Sequence, residues 1–372
     1  MDIVNYEHVP IKRIGKVITG KTPATSHEEY YGGQYMFISP VELHGGYRVT
    51  KSEKTITEKG LESIKTNSIE GISILVGCIG WDMGNVAMCF EKCATNQQIN
   101  AITQIDAKYN PYYIYYWLCG KKKYLFSIAS VTRTPILSKS TFEEIVIPLP
   151  IKKNQDKIAN ILLKIDQKIT LNKQINDNLE QQIKTIFTFQ FLQNANTEWK
   201  QQSLAELSEM YQPKTISGKD LIADGNYFVY GANGIIGKYN QYNHSESEIA
   251  VACRGASCGS IQMTLPFSWI TGNAMVVKPH SDFPYREYLY YYLLAKNPNY
   301  LCSGSAQPQL TRENLTLYSL KVPSTTELNA FESYAEKVRK IIIKNQQENI
   351  ELSTLRDWLL PMLMNGQATI SD

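Results

Sequence analysis

Two stretches decide the fold of this chain: Tyr113-Ile-Tyr-Tyr-Trp-Leu118 and Tyr288-Leu-Tyr-Tyr-Tyr-Leu293. Their likeness predicts an internal duplication with a period of about 175 residues. Outward from them the flanking sequence repeats in the same order. Cys78-Ile-Gly80 followed by Gly84 matches Cys253-Arg-Gly255 followed by Gly259. Gln98-Ile-Asn-Ala101 resembles Thr271-Gly-Asn-Ala274, and Thr134-Pro-Ile-Leu137 resembles Gln307-Pro-Gln-Leu310. Each copy then runs through an apolar, β-like stretch to a proline, Ile145-Val-Ile-Pro148 and Leu320-Lys-Val-Pro323.

Beyond each proline the apolar period changes to that of a helix. Ile158, Ile161, Leu162, Ile165, Ile169, Ile175, Leu179, Ile183 and Ile186 mark the first run. Leu328, Phe331, Ala335, Val338, Ile341, Ile342, Leu352, Leu355 and Leu359 mark the second. Alternating three- and four-residue steps make a coiled-coil seam. Asn172 and Asn345 interrupt the two seams at corresponding points, where a polar residue fixes register. Each helix of roughly 35 residues would be roughly 50 Å long. So long an apolar stripe needs cover, and the simplest cover for each helix is the other. If the halves are related by pseudo-twofold symmetry, that pairing is antiparallel and the domains sit at opposite ends of a rod.

The globular portions mix short strands with Gly-, Tyr- and Ser-rich turns. Ile72–Val76, Val86–Met88, Ile249–Ala252 and Ala274–Val277 read as strands; residues 112–118 and 287–294 read as short amphipathic helices. The fold class is therefore α/β (α+β), with a curved sheet and helices around it. The expected boundaries are 1–150, a spacer helix over 151–196, a second domain over 197–323 and a second spacer helix over 324–372.

Composition narrows function mostly by exclusion. The 372 residues are 43% hydrophobic and 20% charged, with a net charge of +3, a weak basic bias for a lone nucleic-acid binder. No apolar run is long enough to cross a bilayer. Met1–Ile18 carries charges and no hydrophobic signal core, so the expected location is the cytoplasm. Seven cysteines without a Cys-x-x-Cys pair read as reduced, mostly buried thiols, and Cys89 with Cys93 lacks the histidines of a zinc site. There is no Gly-x4-Gly-Lys-Ser/Thr for ATP, no Gly-x-Gly-x-x-Gly and no Asn/Asp-Pro-Pro-Tyr/Phe. His8, His27, His44, His244 and His280 lie near no nucleophile motif. No catalytic and no metal-binding residue is assigned.

Four loops carry polar rather than core character: Gly20-Lys-Thr-Pro23, Gly231–Gly237, Cys253–Gly259 and Gly304–Arg312. Glycine admits close approach of backbone to a ligand, and Gln, Asn, Ser, Thr and Arg hydrogen-bond base edges or phosphates. Plain turn chemistry explains such loops equally well.

Taken in order, these motifs resemble the specificity subunits of type I restriction–modification systems, over essentially the whole chain. Tyr230-Gly-Ala-Asn-Gly-Ile-Ile-Gly237, Trp269-Ile-Thr-Gly-Asn-Ala274 and Gly304-Ser-Ala-Gln-Pro-Gln-Leu310 carry the likeness in the second half. So does the ending, Leu355-Arg-Asp-Trp-Leu-Leu-Pro-Met-Leu-Met-Asn-Gly366. Gly20-Lys-Thr-Pro23, Phe37-Ile-Ser-Pro40 and Pro148–Gln155 carry it in the first. The copies differ at Cys78-Ile-Gly-Trp81 against Cys253-Arg-Gly-Ala256, so they are expected to read different sequences.

The resemblance implies two tandem target-recognition domains, each followed by a long helix, the two helices pairing as an antiparallel coiled coil. Each domain would read one half of a bipartite, asymmetric site in double-stranded DNA, and the helices would set the gap. Two methyltransferase subunits would dock on the helices, each flipping out an adenine for methylation at N6. Motor–nuclease subunits would complete the complex. No cofactor is expected on this chain; S-adenosylmethionine, ATP and Mg belong to the partner subunits. The expected DNA contacts are Lys21, Thr22, Trp81 and Arg133 in the first domain, with Trp81 read alternatively as core. In the second they are Lys238, Tyr239, Arg254, Asn273, Gln307, Gln309 and Arg312. The competing readings are an interaction scaffold, with two ligand-binding domains on a coiled-coil rod and no DNA role, a thiol or metal hydrolase, and the recognition subunit of a system with fused nuclease and methyltransferase.

Overall fold

The strand Ser73–Gly77 is buried along its whole length and occupies the interior of the first unit's main sheet. The computed structural model describes residues 6–131, 133–304 and 308–368. They form two compact units, Met1–Asn172 with Gln347–Asp372 and Lys173–Gln346.

In the first unit the antiparallel sheet runs Lys16–Thr19, Ile99–Thr103, Ser73–Gly77, Val86–Cys89. Alternate side chains leave opposite faces. Ile74, Val76, Met88 and Ile102 pack with Tyr113, Tyr116 and Phe142. Leu75, Ala87 and Ala101 pack with Ile38, Leu43 and Ile69. Ile38 and Ile69 belong to a second sheet, ordered Lys54–Ile56, Tyr31–Ile38, Cys93–Thr95, Ser68–Ile69. Cover on both faces is why these strands read as unbroken apolar runs.

The second unit repeats the plan. Its main sheet runs Ser208–Tyr211, Ala274–Pro279, Ile249–Ala252, Ile261–Met263. Ile249, Val251, Met275 and Val277 face Tyr288 and Tyr291, while Ala250 and Val276 face Tyr230 and Ile270. The smaller sheet is three-stranded, Gly234–Tyr239, Tyr227–Gly231, Trp269–Ile270. Its last two strands pair in parallel, as Tyr31–Ile38 and Cys93–Thr95 do in the first unit.

The tyrosine-rich segments are helices, Pro111–Cys119 and Arg286–Ala295, but they are not amphipathic as expected. Tyr113 through Leu118 are all buried, because strands cover one side and a long helix the other. Their starts are secured differently. The Asn110 side chain accepts from the amides of Tyr112 and Tyr113 at 2.9 and 3.1 Å. In the second unit the cap comes from afar: the Glu332 carboxylate accepts from the amides of Glu287 and Tyr288, at 2.9 and 3.1 Å.

The long helices span Lys152–Phe187, extended by a π-helical turn Thr188–Gln193, and Thr325–Met364. Within each unit they pair antiparallel. In the first, Asp166 meets Arg356 at 2.7 Å and Asn172 meets Asn349 at 3.0 Å. In the second, Asn176 meets Asn345 at 2.8 Å and Glu180 pairs with Arg339. Ile158, Leu162, Ile169 and Ile183 of the predicted seam are buried, as are Leu328, Phe331, Ala335, Val338 and Ile342. Ile175, Ile341 and Leu355 point to solvent instead. Each seam asparagine finds its partners within its own unit. Asn172 donates to Glu348 and Asn349, and Asn345 donates to Asn176.

Each tyrosine helix is fastened to a long helix through a hydroxyl. Tyr116 donates to Asp166 at 2.7 Å. Tyr291 donates to Glu180 at 2.7 Å and accepts from Arg339 at 3.0 Å. Arg339 also pairs with Glu287 at 3.0 Å, with side chains only 8% and 4% exposed. Burial pushes the Glu287 carboxyl above its ordinary range, and the facing guanidinium opposes that push.

The expectation of reduced cysteines fails at one pair. Cys258 and Cys302 form a disulfide, with Cα atoms 6.6 Å apart. The seven thiols carried no spacing signal because this pairing joins two loops 44 residues apart. Cys78, Cys89, Cys93 and Cys253 are buried free thiols, and Cys119 is half-buried. Among the described residues no group of three His, Cys, Asp or Glu is placed to hold a metal, and no helix is long and apolar enough to cross a membrane.

Candidate nucleic-acid interface

Each unit ends its main sheet in the same loop, built by the same backbone hydrogen bonds. In the first unit the Cys78 amide donates to the Gln98 carbonyl (2.7 Å) and the Leu137 amide to the Cys78 carbonyl (2.8 Å). The Gly80 amide donates to Pro135 (3.0 Å) and the Gly84 amide to Gly77 (2.8 Å). In the second, Cys253 donates to Asn273 (3.0 Å), Leu310 to Cys253 (2.9 Å), Gly255 to Pro308 (3.1 Å) and Gly259 to Ala252 (2.9 Å). A bridge between Ile79 and Ile136 is matched by one between Arg254 and Gln309.

Glycine is required at the closing position of both loops. Gly84 and Gly259 have φ of +89° and +84°, where a Cβ is strained. A Cβ on Gly84 would meet the Lys122 side chain at 2.8 Å, and one on Gly259 the Asn299 Cα at 2.8 Å. Gly20, read as a point of ligand approach, has another explanation. It is buried, and a Cβ there would lie 2.1 Å from the Asn96 carbonyl oxygen.

This common frame fixes correspondence residue by residue. Ile79 stands where Arg254 stands, Trp81 where Ala256 does, Gln98 where Asn273 does, and Ile136 where Gln309 does. Trp81 is not core: it is 70% exposed. It lines a groove of about 410 Å³ with Val41, Ile79, Asn85 and Gln98. The loop beneath it is anchored by charge. Asp82 bonds Lys122 at 2.9 Å and His44 at 2.7 Å, and these partners hold its carboxyl below the usual range.

Other predicted contacts in the first unit gather around this loop. Thr22 donates to the Gln97 side chain at 2.9 Å, beside Gln98, and Lys21 is exposed next to it. Arg133 is exposed on the segment whose Pro135 receives the Gly80 amide. In the second unit Arg254, Asn273 and Gln309 are exposed on the frame, and exposed Arg312 opens the helix Arg312–Thr316 just beyond it. Neither Arg254 nor Arg312 makes an ion pair among the described residues, which leaves both guanidiniums available. The disulfide ties this loop to the segment leading to Gln309. Gln307 lies outside the described residues. Lys238 and Tyr239 stand on a different element, the strand Gly234–Tyr239. There Lys238 lies over the Phe228 ring at 5.6 Å and Tyr239 meets Trp269 edge-on at 5.5 Å. Ile79, Gln98 and Ile136 were missed because two are apolar and none lies in a loop singled out for polar character. Aligning the copies on Cys78 with Cys253 and Pro135 with Pro308 would have exposed Ile79 and Ile136, but not Gln98: the sequence match sets Gln98 opposite Thr271, and the amide bonds of Cys78 and Cys253 shift it to Asn273.

Comparison with known proteins places this duplicated frame. The model of the type I restriction modification DNA specificity domain matches twice, over residues 3–181 and 196–353. The chain belongs to this family of DNA-specificity proteins. Its part is recognition of sequence, not catalysis. The MjaIX type I restriction enzyme specificity subunit of Methanocaldococcus jannaschii is 25% identical over 405 residues, covering 97% of this chain and 93% of that protein. The HindI specificity subunit of Haemophilus influenzae is 31% identical over 178 residues, 46% of this chain and 39% of that protein. The crystal structure of a type I restriction–modification S subunit from M. genitalium shares the fold, with a TM-score of 0.62 at 18% identity, over 100% of this chain and 98% of that one.

Proposed function

We propose that this chain confers sequence on a type I restriction–modification complex by reading a bipartite, asymmetric DNA site, one half with each target-recognition domain. Residues 1–150 and 197–323 are the two readers, and 151–196 and 324–372 the spacers. The observation that carries this reading is the pair of loops with one backbone frame and two different sets of side chains, exposed at Trp81 and Ile136 in one and at Arg254, Asn273 and Gln309 in the other. One frame with two side-chain sets suits one kind of ligand with two sequences. Lys21, Thr22, Trp81 and Arg133 contact one half-site; Arg254, Asn273, Gln307, Gln309 and Arg312 contact the other, with Lys238 and Tyr239 on its phosphates. Arg and Lys supply charge to phosphate or guanine, and Asn and Gln suit adenine.

The paired helices set the gap between half-sites and dock two methyltransferase subunits, whose S-adenosylmethionine methylates adenine at N6. A motor–nuclease subunit, using ATP and Mg, cleaves. The complex works in the cytoplasm, where the DNA is. Partner subunits contribute phosphate contacts, which fits a net charge of only +3 on this chain.

The test is methylation sequencing of a plasmid grown with the cognate methyltransferase, with and without this chain. N6-methyladenine at one split motif that vanishes without the chain is the expected result. Methylation that persists unchanged without it refutes the proposal.

A further inference from the structure

The two loops share a frame but differ in chemistry, and the difference has a direction. At the four corresponding positions the first unit presents Ile79, Trp81, Gln98 and Ile136, and the second Arg254, Ala256, Asn273 and Gln309. Trp81 is 70% and Ile136 42% exposed, and Val41 across the groove is 69% exposed. Apolar side chains held this far out on a fixed loop contribute little to the core. Clustered exposure of this kind marks a contact surface. In the major groove the one apolar feature of any base is the C5 methyl of thymine. Arginine instead matches the two acceptors of guanine.

Resting on the reading that each domain binds a half-site, we propose that the two domains use different base chemistries. The first domain reads thymine methyls through Ile79, Trp81 and Ile136, with Gln98 on a neighbouring adenine, so its half-site is A·T-based. The second reads a guanine through Arg254, braced by Gln309 across the bridge. Ile79 and Ile136 are thereby specificity-determining residues, although neither carries a polar group.

The frame allows a direct exchange. The full chain is produced with its methyltransferase carrying Ile79→Arg, Trp81→Ala or Arg254→Ile, and the methylated motif is sequenced. Thermal unfolding and co-purification with the methyltransferase check that each variant is intact. Ile79→Arg is expected to bring a G·C pair into one half-site and leave the other untouched. Trp81→Ala, which removes an exposed ring and leaves the frame, is expected to relax a T·A position in that same half-site. Arg254→Ile is expected to lower discrimination for a guanine in the other half-site by roughly 5- to 150-fold. A wild-type half-site of G·C pairs alone, assigned to the first domain by these variants, overturns the proposal. So does a motif unchanged by all three intact variants. Loss of methyltransferase binding by folded Trp81→Ala overturns it too, because the apolar patch would then be a protein contact. Methylation that never depends on the chain is a different failure, that of the half-site reading itself.

Discussion

Arg339 and Glu287 form an ion pair with almost no access to water, and Glu180 and the Tyr291 hydroxyl complete the guanidinium's partners. The pair joins the tyrosine helix of the second unit to both long helices. Removing one partner strands a buried charge. Arg339→Leu should therefore cost about 3–5 kcal/mol, read as a lower urea midpoint.

Glu332 gives the second unit a pH dependence of known sign. Burial is the main cause that pushes its carboxyl up to about 7, against the pull of the two amides it caps. The unfolded chain has the ordinary, lower value. Between the two the folded chain holds the extra proton, so this contribution is complete at low pH and is lost as pH rises through 7. Stability should fall by up to about 1.4 kcal/mol per pH unit in that window. Urea midpoints from about pH 5 to pH 8 should flatten in Glu332→Gln.

Closing the loops with alanine should hurt the two units unequally. Both Gly84→Ala and Gly259→Ala meet the left-handed backbone cost of about 1–2 kcal/mol. A Cβ at 84 presses on the Lys122 Cγ at 2.8 Å and its Cα at 3.1 Å, whereas one at 259 meets backbone more closely, the Asn299 Cα at 2.8 Å and N at 3.0 Å. Gly259→Ala should show the larger drop in melting temperature, together with loss of one half-site from the methylated motif.

The disulfide closes a loop between residues 44 apart. Constraint of the unfolded chain by such a loop is worth about 2–4 kcal/mol. Cys258→Ser should lower stability by that amount without reductant and by little in excess dithiothreitol. Equal loss under both conditions would mean that the pair is not oxidised in the purified protein.

The seam asparagines should govern register more than stability. Asn172 is buried, and its side-chain oxygen finds no partner among the described residues, so leucine there removes a polar group that is only half satisfied. Asn172→Leu with Asn345→Leu should change stability by no more than about 1 kcal/mol per site, yet give mixed oligomers on light scattering. A single monodisperse species with the wild-type methylation motif would count against a register role.

Much of this was legible in the sequence, and the exceptions share a cause. The two long helices follow from spacing, because burial on one face imposes a period, and the strands Ile249–Ala252 and Ala274–Val277 from unbroken apolar runs, because both faces are covered. Asn172 and Asn345 stood out because they broke such a period. Their partners Asn349 and Asn176 did not, since which residues face across an antiparallel pair depends on register, and one strand of sequence holds no register. The disulfide was hidden for the same reason. Trp81 was ambiguous because an indole serves a core and a contact surface equally well; only its 70% exposure decides between them.

Asp166 and Glu180 lie on the same long helix, and each accepts a tyrosine hydroxyl from the helix of its own unit, Tyr116 and Tyr291. Each carboxylate is also paired with an arginine of the other long helix, Arg356 and Arg339. The two sockets therefore offer the same chemistry: a carboxylate, held by a guanidinium, that takes a proton from a phenol. A reader domain ending in such a helix could be fitted to either socket without rewriting the tyrosine. What the sequence must vary to change the message lies on the loops, and what it must keep to hold the reader in place is one hydroxyl facing one carboxylate.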